Sequence, residues 1–532
     1  MKSFSAYPSR RSMIVSTGGA VATSHPLAAQ AGLQMLAQGG TAADAVIAAA
    51  AVLNVVEPMS TGIGGDAFAL VYDAQTKKVK ALNGSGRAPK SLTRAEFAKR
   101  GLDKIPALGV LPINVPGAVS AWETLIQQHG KLDFATILAP AIHHARNGFA
   151  VSEIIARGWA TLADKMRQHP DAARIFLPNG RAPRMGERFY QPELASTFEE
   201  IARSGAESFY RGDLAKRIVG ALARDGAFLS LEDMSNHTSD WVEPATAKYR
   251  GYDVFECPPN GQGLTALIAL RLLEGFDLAS LPAHSPQSIH LQVEAMRLAF
   301  ADAARYIADP AFVHVPVREL LSEEYIAQRR ALIDPTKVSE VVAGEIPMSH
   351  DTVYVTAVDK YGNAVSFINS LYMGFGSGVV AGDTGICMQN RGANFVLDEG
   401  HPNVLEPGKR PYHTIIPCMV TKDGALWSSF GVMGGFMQPQ GHVQMLVNMI
   451  DHGMNPQESL DAPRFELVEP YDGMHTVMFE HDTTTQQSLV ALGHDVTPAK
   501  VGGFGGGQII VVEDGVAFAG SDPRKDGSAV GL

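Results

Sequence analysis

Asp351-Thr352-Val353-Tyr354-Val355-Thr356-Ala357-Val358-Asp359 runs through Lys360-Tyr361-Gly362-Asn363 into Ala364-Val365-Ser366-Phe367-Ile368-Asn369-Ser370-Leu371-Tyr372. Two runs rich in β-branched and aromatic residues flank a Gly-Asn turn, the pattern of an antiparallel hairpin. If the four-residue loop sets Asp359 against Ala364, the register carries Thr352 to within about one residue of Ser370 and Leu371. A hydroxyl then opens one strand with a second hydroxyl beside it. Threonine is an ordinary strand residue, so its place alone gives Thr352 no chemistry. The junction adds something: the polar Pro347-Met348-Ser349-His350 segment ends at Asp351 and a β unit starts at once. That suits a chain cut leaving Thr352 as a new N-terminus. A freed α-amine, with an unperturbed pKa of about 7.7 to 8.0, can take the proton of its own residue's hydroxyl, giving a nucleophile without a histidine.

Outward from the hairpin, the first half reads as helix-rich. Pro26 suits a first helical turn, and Leu27, Ala31, Leu33, Met35 and Leu36 make an apolar face before Gly39-Gly40. Thr41 with Asp44 forms a capping-box pattern before a stretch apolar nearly all round, which predicts a buried helix. Gly62-Ile63-Gly64-Gly65-Asp66 leads into a strand over 67–72. No helix follows these glycines, so a phosphate cradle is excluded by context. Further helices are expected at Ala118–His129, Phe134–Asn147, 191–203, Asp213–Arg224 and 285–308, with a strand at 249–256. The second half is richer in strand and glycine. There Gly431-Val432-Met433-Gly434-Gly435 precedes a helix expected at 442–452, and consecutive glycines can turn two main-chain N–H groups into one cavity.

Composition narrows the classes. The chain has 532 residues, 45% hydrophobic and 19% charged, which is globular and longer than one ordinary core. A formal net charge of −11 argues against nucleic acid or an anionic membrane surface as partner. Cys257, Cys387 and Cys418 are odd in number and widely spaced, so no disulfide framework or zinc ribbon is encoded. Arg10-Arg11 imitates a twin-arginine signal, yet Ser16, Thr17, Gly18, Gly19, Thr23 and Ser24 break the apolar run that should follow; a cytoplasmic protein is expected. The run from Gly502 to Gln508 precedes a strand rather than opening a helix, and no Gly-x-Ser-x-Gly elbow occurs, so redox and serine-hydrolase readings lack support.

Eight stretches in a fixed order carry a resemblance. They are Val21-Ala22-Thr23-Ser24-His25-Pro26-Leu27-Ala28-Ala29-Gln30-Ala31-Gly32, Gly62-Ile63-Gly64-Gly65-Asp66, Val115-Pro116-Gly117-Ala118-Val119, Asp351-Thr352, Gly374-Phe375-Gly376-Ser377-Gly378, Gly408-Lys409-Arg410-Pro411, Met433-Gly434-Gly435 and Gly520-Ser521-Asp522-Pro523-Arg524. Along almost its whole length the chain resembles the γ-glutamyltransferase (glutathione hydrolase) family of N-terminal-nucleophile hydrolases. The resemblance implies an α+β, four-layered αββα sandwich built from both halves of a self-cleaved precursor, 1–351 and 352–532, as one intertwined domain. It implies Thr352 as nucleophile and cleavage after Asp351, Ser370 as the group that orients Thr352, Gly434 and Gly435 as oxyanion donors, and neither cofactor nor metal. Expected partners are a small-molecule amide, the two pieces of the precursor, and a dimer of processed heterodimers.

Substrate residues follow the family pattern less closely. The family's carboxylate-binding Arg falls at Ser85 here, with Arg87 displaced by two, and the role is carried to Arg87. A family Asn falls at Tyr372, an Asp that pairs with the glutamyl α-amine falls at Asn394, and a Ser-Ser pair falls at His413 and Thr414. These departures resemble the branch of glutathione-hydrolase-like and small-amide hydrolases, such as oxamate amidohydrolase. The expected activity is hydrolysis of γ-glutamyl amides such as glutathione, favoured over transfer. An oxamate-like amidase, a β-lactam side-chain acylase and an inactive binding scaffold stand as alternatives.

Overall fold

The computed structural model describes residues 11–341, 352–468, 476–499 and 503–532. Asp351, the 347–350 segment, Arg10 of the arginine pair and Gly502 of the late glycine run lie outside the described residues. In the first half, β1 (Ile14–Ser16), β2 (Gly19–Thr23), β3 (Asp66–Asp73) and β4 (Lys78–Gly84) precede a helical stretch in which β5 (Phe149–Ala150) pairs with β6 (Arg188–Phe189). Then come β7 (Asp240–Val242), β8 (Ala245–Tyr249), β9 (Tyr252–Glu256), β10 (Val353–Asp359), β11 (Ala364–Ser370), β12 (Cys418–Lys422) and β13 (Ala425–Met433). A small separate sheet holds β14 (Phe465–Leu467), β15 (Thr476–Phe479) and β16 (Asp495–Thr497), and β17 (Gly506–Glu513), β18 (Val516–Ser521) and β19 (Ser528–Gly531) close the chain.

Two seven-stranded sheets result, one in the order β1-β18-β17-β13-β12-β9-β8 and the other β19-β2-β10-β11-β3-β4-β7. Neighbours in both are antiparallel. Strands from before and after residue 352 lie side by side in each sheet. The period-2 alternation of β10 sorts its side chains: Val353, Val355 and Ala357 join the core under the helices, while Tyr354 and Val358 face the other sheet. Helices Pro26–Ala37, Ala42–Val56, Ala118–His129 and Phe134–Asn147 cover the outer face of the β10 sheet. Gly263–Leu273, Pro286–Tyr306 and Met437–Leu446 cover the other. The expected αββα sandwich is therefore the observed one.

Local expectations held where the signal was side-chain chemistry. Both bonds of the Thr41/Asp44 capping box form, and every residue of Ala42–Val56 is buried. Three differences have physical causes. Val358, not Asp359, faces Ala364, because the Asp359 carboxylate accepts the N–H groups of Tyr361 and Asn363 and enlarges the loop by one residue. The 249–256 strand is a hairpin, since Arg250 and Gly251 take left-handed φ of 51° and 86° and make a two-residue turn. The helix expected at 442–452 begins at Met437 and passes into a π-helical turn, Val447–Asp451. All three cysteines are buried and free, and no helix among the described residues is long and apolar enough to cross a membrane.

The two sheets are locked together close to the start of β10. Thr356 Oγ1 lies 2.6 Å from Ser429 Oγ, and Ser366 donates to the Phe430 carbonyl at 3.3 Å. A Cβ added at Gly431 would stand 2.5 Å from Tyr354 Cε2, so glycine there lets the phenol ring lie flat against β13. As β10 is followed back from Thr356 to Tyr354, β13 is followed forward from Ser429 to Gly431. One more step of the same stagger brings Thr352 to the end of β13 and the Gly434-Gly435 turn. Gly431→Ala is expected to cost about 1–3 kcal/mol through overpacking against Tyr354, read as a lowered midpoint in urea unfolding. An unchanged midpoint would show that the sheets do not approach this closely.

Candidate active site

The hairpin register sets Val353 opposite Asn369, so Thr352 leaves the strand beside Ser370. Their hydroxyl oxygens are 3.2 Å apart, and both residues are buried. Ser370 Oγ also accepts the Tyr372 N–H at 2.8 Å and an Arg391 Nη2–H at 3.2 Å. Two donors occupy the lone pairs of the serine oxygen, which leaves its proton to be offered to a neighbour. The pairing expected from the sequence is thus present, with a charged residue behind it that sequence reasoning did not name.

Arg391 lies on a short 3-10 turn, Arg391–Asn394, and is fully buried. Its Nη1 donates to Thr414 Oγ1 at 2.7 Å, and the ring of Tyr372 lies over its guanidinium at 4.2 Å. Tyr372 has φ of +83°, a backbone region costly for a side-chain-bearing residue, and its hydroxyl donates to Asn394 Oδ1. Asn394 Nδ2 in turn donates to the Tyr412 carbonyl at 3.0 Å. The residues at the family's Asn and Asp positions therefore hold each other.

His413 and Thr414, expected at the substrate, are buried and join this network through Asp66 and Arg391. The His413 Nδ1 accepts the Ile415 N–H, so its Nε2–H donates to Asp66 Oδ2 at 3.1 Å. Burial and the nearby Arg391 and Arg410 hold the His413 pKa well below its ordinary value, and the ring is neutral. Asp66 Oδ1 accepts N–H groups from Gly86 and Gly117 and the Gln389 amide. Burial nevertheless wins, and the Asp66 pKa is pushed up to about 6, with Arg391 opposing the rise.

Gly434 and Gly435 follow β13 with φ of 123° and 59°. Their carbonyls accept from Met437 N and Gln438 N, opening the next helix, and Gln262 Nε2 donates to both the Gly435 and the Thr414 carbonyls, at 2.9 and 2.6 Å. Gln262, another residue the sequence did not flag, thus joins the glycine turn to the Arg391 cluster. With both carbonyls committed to the helix, the turn can present its N–H groups toward the end of the sandwich where Thr352 lies. Arg87 is placed differently: its guanidinium is turned to Asp240, 3.5 Å away and shared with Arg410, while the loop's Gly86 N–H reaches Asp66. Ser85, at the family's Arg position, is buried with its hydroxyl accepting from Asn260.

Among the described residues, two side-chain groups have the composition to hold a metal ion, Glu256/Cys418/His442 and His290/Glu294/His494. In the first, His442 bonds Glu256 and accepts the Val432 N–H; in the second, Glu294 is taken by Arg297 and the Ser339 N–H. Neither shares a residue with the Thr352 network.

A buried hydroxyl at the opening of an inner strand, with a serine hydroxyl beside it, within an αββα sandwich, is the arrangement expected of an N-terminal-nucleophile hydrolase. The chain belongs to the gamma-glutamyltranspeptidase family, whose model matches residues 28–532. It is 41% identical over 532 residues to the glutathione hydrolase-like YwrD proenzyme of Bacillus subtilis (strain 168), covering 98% of this chain and 99% of that one. It is 35% identical to the oxamate amidohydrolase proenzyme of Klebsiella pneumoniae, covering 97% and 99%. Among solved structures, cephalosporin acylase from Bacillus halodurans superposes with a TM-score of 0.93 at 45% identity, covering 100% and 99%.

The raised pKa of Asp66 gives a test with two opposed signs. Ionised Asp66 balances Arg391, so turnover is expected to fall as pH drops through about 6, and the isosteric Asp66→Asn should flatten that limb. Stability runs the other way: a carboxyl whose folded pKa is raised contributes stability that is present below its unfolded pKa and lost as pH rises through about 6. Relative to wild type, Asp66→Asn should therefore gain stability across that interval in urea unfolding followed against pH. An acid limb that persists unchanged in the variant would remove Asp66 from the site's electrostatics.

Proposed function

We propose that this protein is a self-processing N-terminal-threonine amidohydrolase that hydrolyses small γ-glutamyl-type amides such as glutathione in preference to transferring the acyl group. The observation that carries the reading is the 3.2 Å contact between the Thr352 and Ser370 hydroxyls at the opening of β10. In the precursor, Thr352 Oγ1 attacks the Asp351 carbonyl carbon and the peptide C–N bond breaks. The Asp351 acyl group is left as an ester on Oγ1, and water hydrolyses it to free the 1–351 piece. In the mature enzyme the Thr352 α-amine takes the Oγ1 proton as Oγ1 attacks the substrate carbonyl, and returns it to the leaving amine nitrogen. The Gly434 and Gly435 N–H groups hold the oxyanion, a contribution of about 2.7–4 kcal/mol per donor in a measured case. Ser370 keeps Thr352 Oγ1 in place, and water then discharges the ester.

Hydrolysis is favoured because an acceptor amine and a γ-glutamyl α-amine both need an anionic partner. Asn394 is neutral and committed to Tyr372 and Tyr412. An ammonium held by a neutral amide oxygen lacks the ion-pair attraction that a carboxylate in the same place would add. The names of the relatives support a second reading at the same centre, an oxamate-like or cephalosporin side-chain amide. An inert scaffold is disfavoured by the intact Thr352.

Denaturing gels of the purified protein should show two pieces, the smaller opening Thr-Val-Tyr-Val by N-terminal sequencing. Thr352→Ala should abolish both cleavage and turnover. A fully active single band would refute the proposal. For acceptor preference, Asn394→Asp is expected to raise transfer to glycylglycine and the preference for γ-glutamyl over des-amino glutaryl anilide by about tenfold. Efficient transfer by wild type would instead mark an ordinary transpeptidase.

A further inference from the structure

Among the described residues three arginines are essentially fully buried: Arg297, Arg391 and Arg464. Two have a buried carboxylate in contact, Arg297 with Glu294 at 2.6 Å and Arg464 with Asp522 at 2.5 Å. Arg391 has none within ion-pairing distance among the described residues. Its hydrogen bonds go to two neutral hydroxyls, Ser370 and Thr414, and its Nε is left without a partner. A guanidinium carries five N–H donors and remains protonated when buried, so an unpaired one costs several kcal/mol unless an anion meets it. Asp66 moderates the charge at longer range but spends its own oxygens on Gly86, Gly117, Gln389 and His413.

The orientation is as informative as the charge. Tyr372 stacks on the face of the guanidinium, and stacking leaves the in-plane N–H groups available for a carboxylate. The same Nη2 that reaches Ser370 is one hydroxyl away from the nucleophile, through two successive 3.2 Å contacts. A molecule attacked by Thr352 can therefore bring to Arg391 only a group lying a few bonds from its reacting carbonyl.

We propose that Arg391 is the anchor for a carboxylate on the acyl half of the substrate, and that the enzyme's substrates are half-amides of short dicarboxylic acids, selected by that free carboxylate and not by an α-amine. The proposal rests on Thr352 being the nucleophile. It moves the carboxylate-binding role from Arg87, whose partly exposed guanidinium faces Asp240 at 3.5 Å, to a residue on a different element. Asn394 and Tyr372, bonded to each other, leave no anionic group beside Arg391 to receive an ammonium.

The test uses the processed wild-type enzyme and three anilides: γ-glutamyl, glutaryl, and pentanoyl, which lacks the carboxylate. The first two should be hydrolysed with kcat/KM within about tenfold of each other, and pentanoyl anilide about a hundredfold more slowly, the scale of a lost charge-assisted bidentate contact. Glutarate should inhibit competitively and its dimethyl ester, which carries no free carboxylate, should not. Arg391→Gln should lower the glutaryl-to-pentanoyl ratio toward one, a ratio read independently of any fall in the absolute rates that follows from the lost bond to Ser370. Should that variant fail to process, the wild-type panel and the glutarate competition still decide whether a carboxylate is read, and a processed Arg87→Gln enzyme that lost the glutaryl preference would overturn the assignment to Arg391. Equal wild-type rates on glutaryl and pentanoyl anilides, abolished by Thr352→Ala, would overturn the carboxylate anchor while leaving the nucleophile intact. Activity that survives Thr352→Ala would overturn the underlying mechanism instead.

Discussion

The stagger between β10 and β13 governs the rest of the structure. Tyr354 lies against Gly431 and Thr356 bonds Ser429, so the opening of β10 and the end of β13 arrive at the same edge of the sandwich. Nothing in either sheet alone would bring a threonine hydroxyl to a glycine turn on the other. The contact works because position 431 has no side chain: any Cβ there meets the phenol ring, and interiors packed at crystal-like density have no slack to absorb it. Helices on both outer faces then fix the separation of the sheets. Strands from before and after residue 352 lie side by side in both sheets, so a break at that point would leave each piece dependent on the other for its hydrogen bonds and its core.

Electrostatics at that edge is organised around one buried cation. Arg391 touches Ser370 and Thr414, is faced by Tyr372, and acts over a longer range on two buried groups: burial raises the Asp66 pKa and Arg391 opposes it, while burial, with Arg391 adding to it, lowers that of His413. Asp66 is tied to the main chain at Gly86 and Gly117, and Gln262 ties Thr414 to Gly435. Segments far apart in sequence are thereby joined by polar bonds inside an apolar sandwich, where each satisfied bond is worth more than it would be in water.

The sequence made legible whatever depended on local pattern. Alternation and the Gly-Asn turn disclosed the hairpin, and the Thr41/Asp44 spacing disclosed a cap that forms as expected. The register was off by one because the loop length depends on the Asp359 carboxylate bridging to Asn363, a side-chain choice that no periodicity records. Arg250 in a left-handed turn escaped notice because such turns are usually signalled by Asn or Asp before glycine. Arg391 and Gln262 were invisible for a different reason. Their partners come from residues 370, 414 and 435, and a guanidinium's role is set by what surrounds it in space. The available hint was that Arg391 stands three residues before Asn394, a position already singled out by resemblance.

Tyr372 and Asn394 show why a departure from a family pattern has to be read as a pair. Taken singly, asparagine for aspartate only weakens the hold on an ammonium. Tyrosine at 372 changes the problem, since its hydroxyl occupies the Asn394 carbonyl oxygen and its ring lies on Arg391. The position requires φ of +83°, a strain that a tyrosine accepts only where its surroundings compensate. Here the compensation is a cation–π contact with Arg391 and a buried hydrogen bond to Asn394. The backbone strain, the cation under the ring and the bonded asparagine are therefore parts of one arrangement, in which the buried charge beside Ser370 is positive.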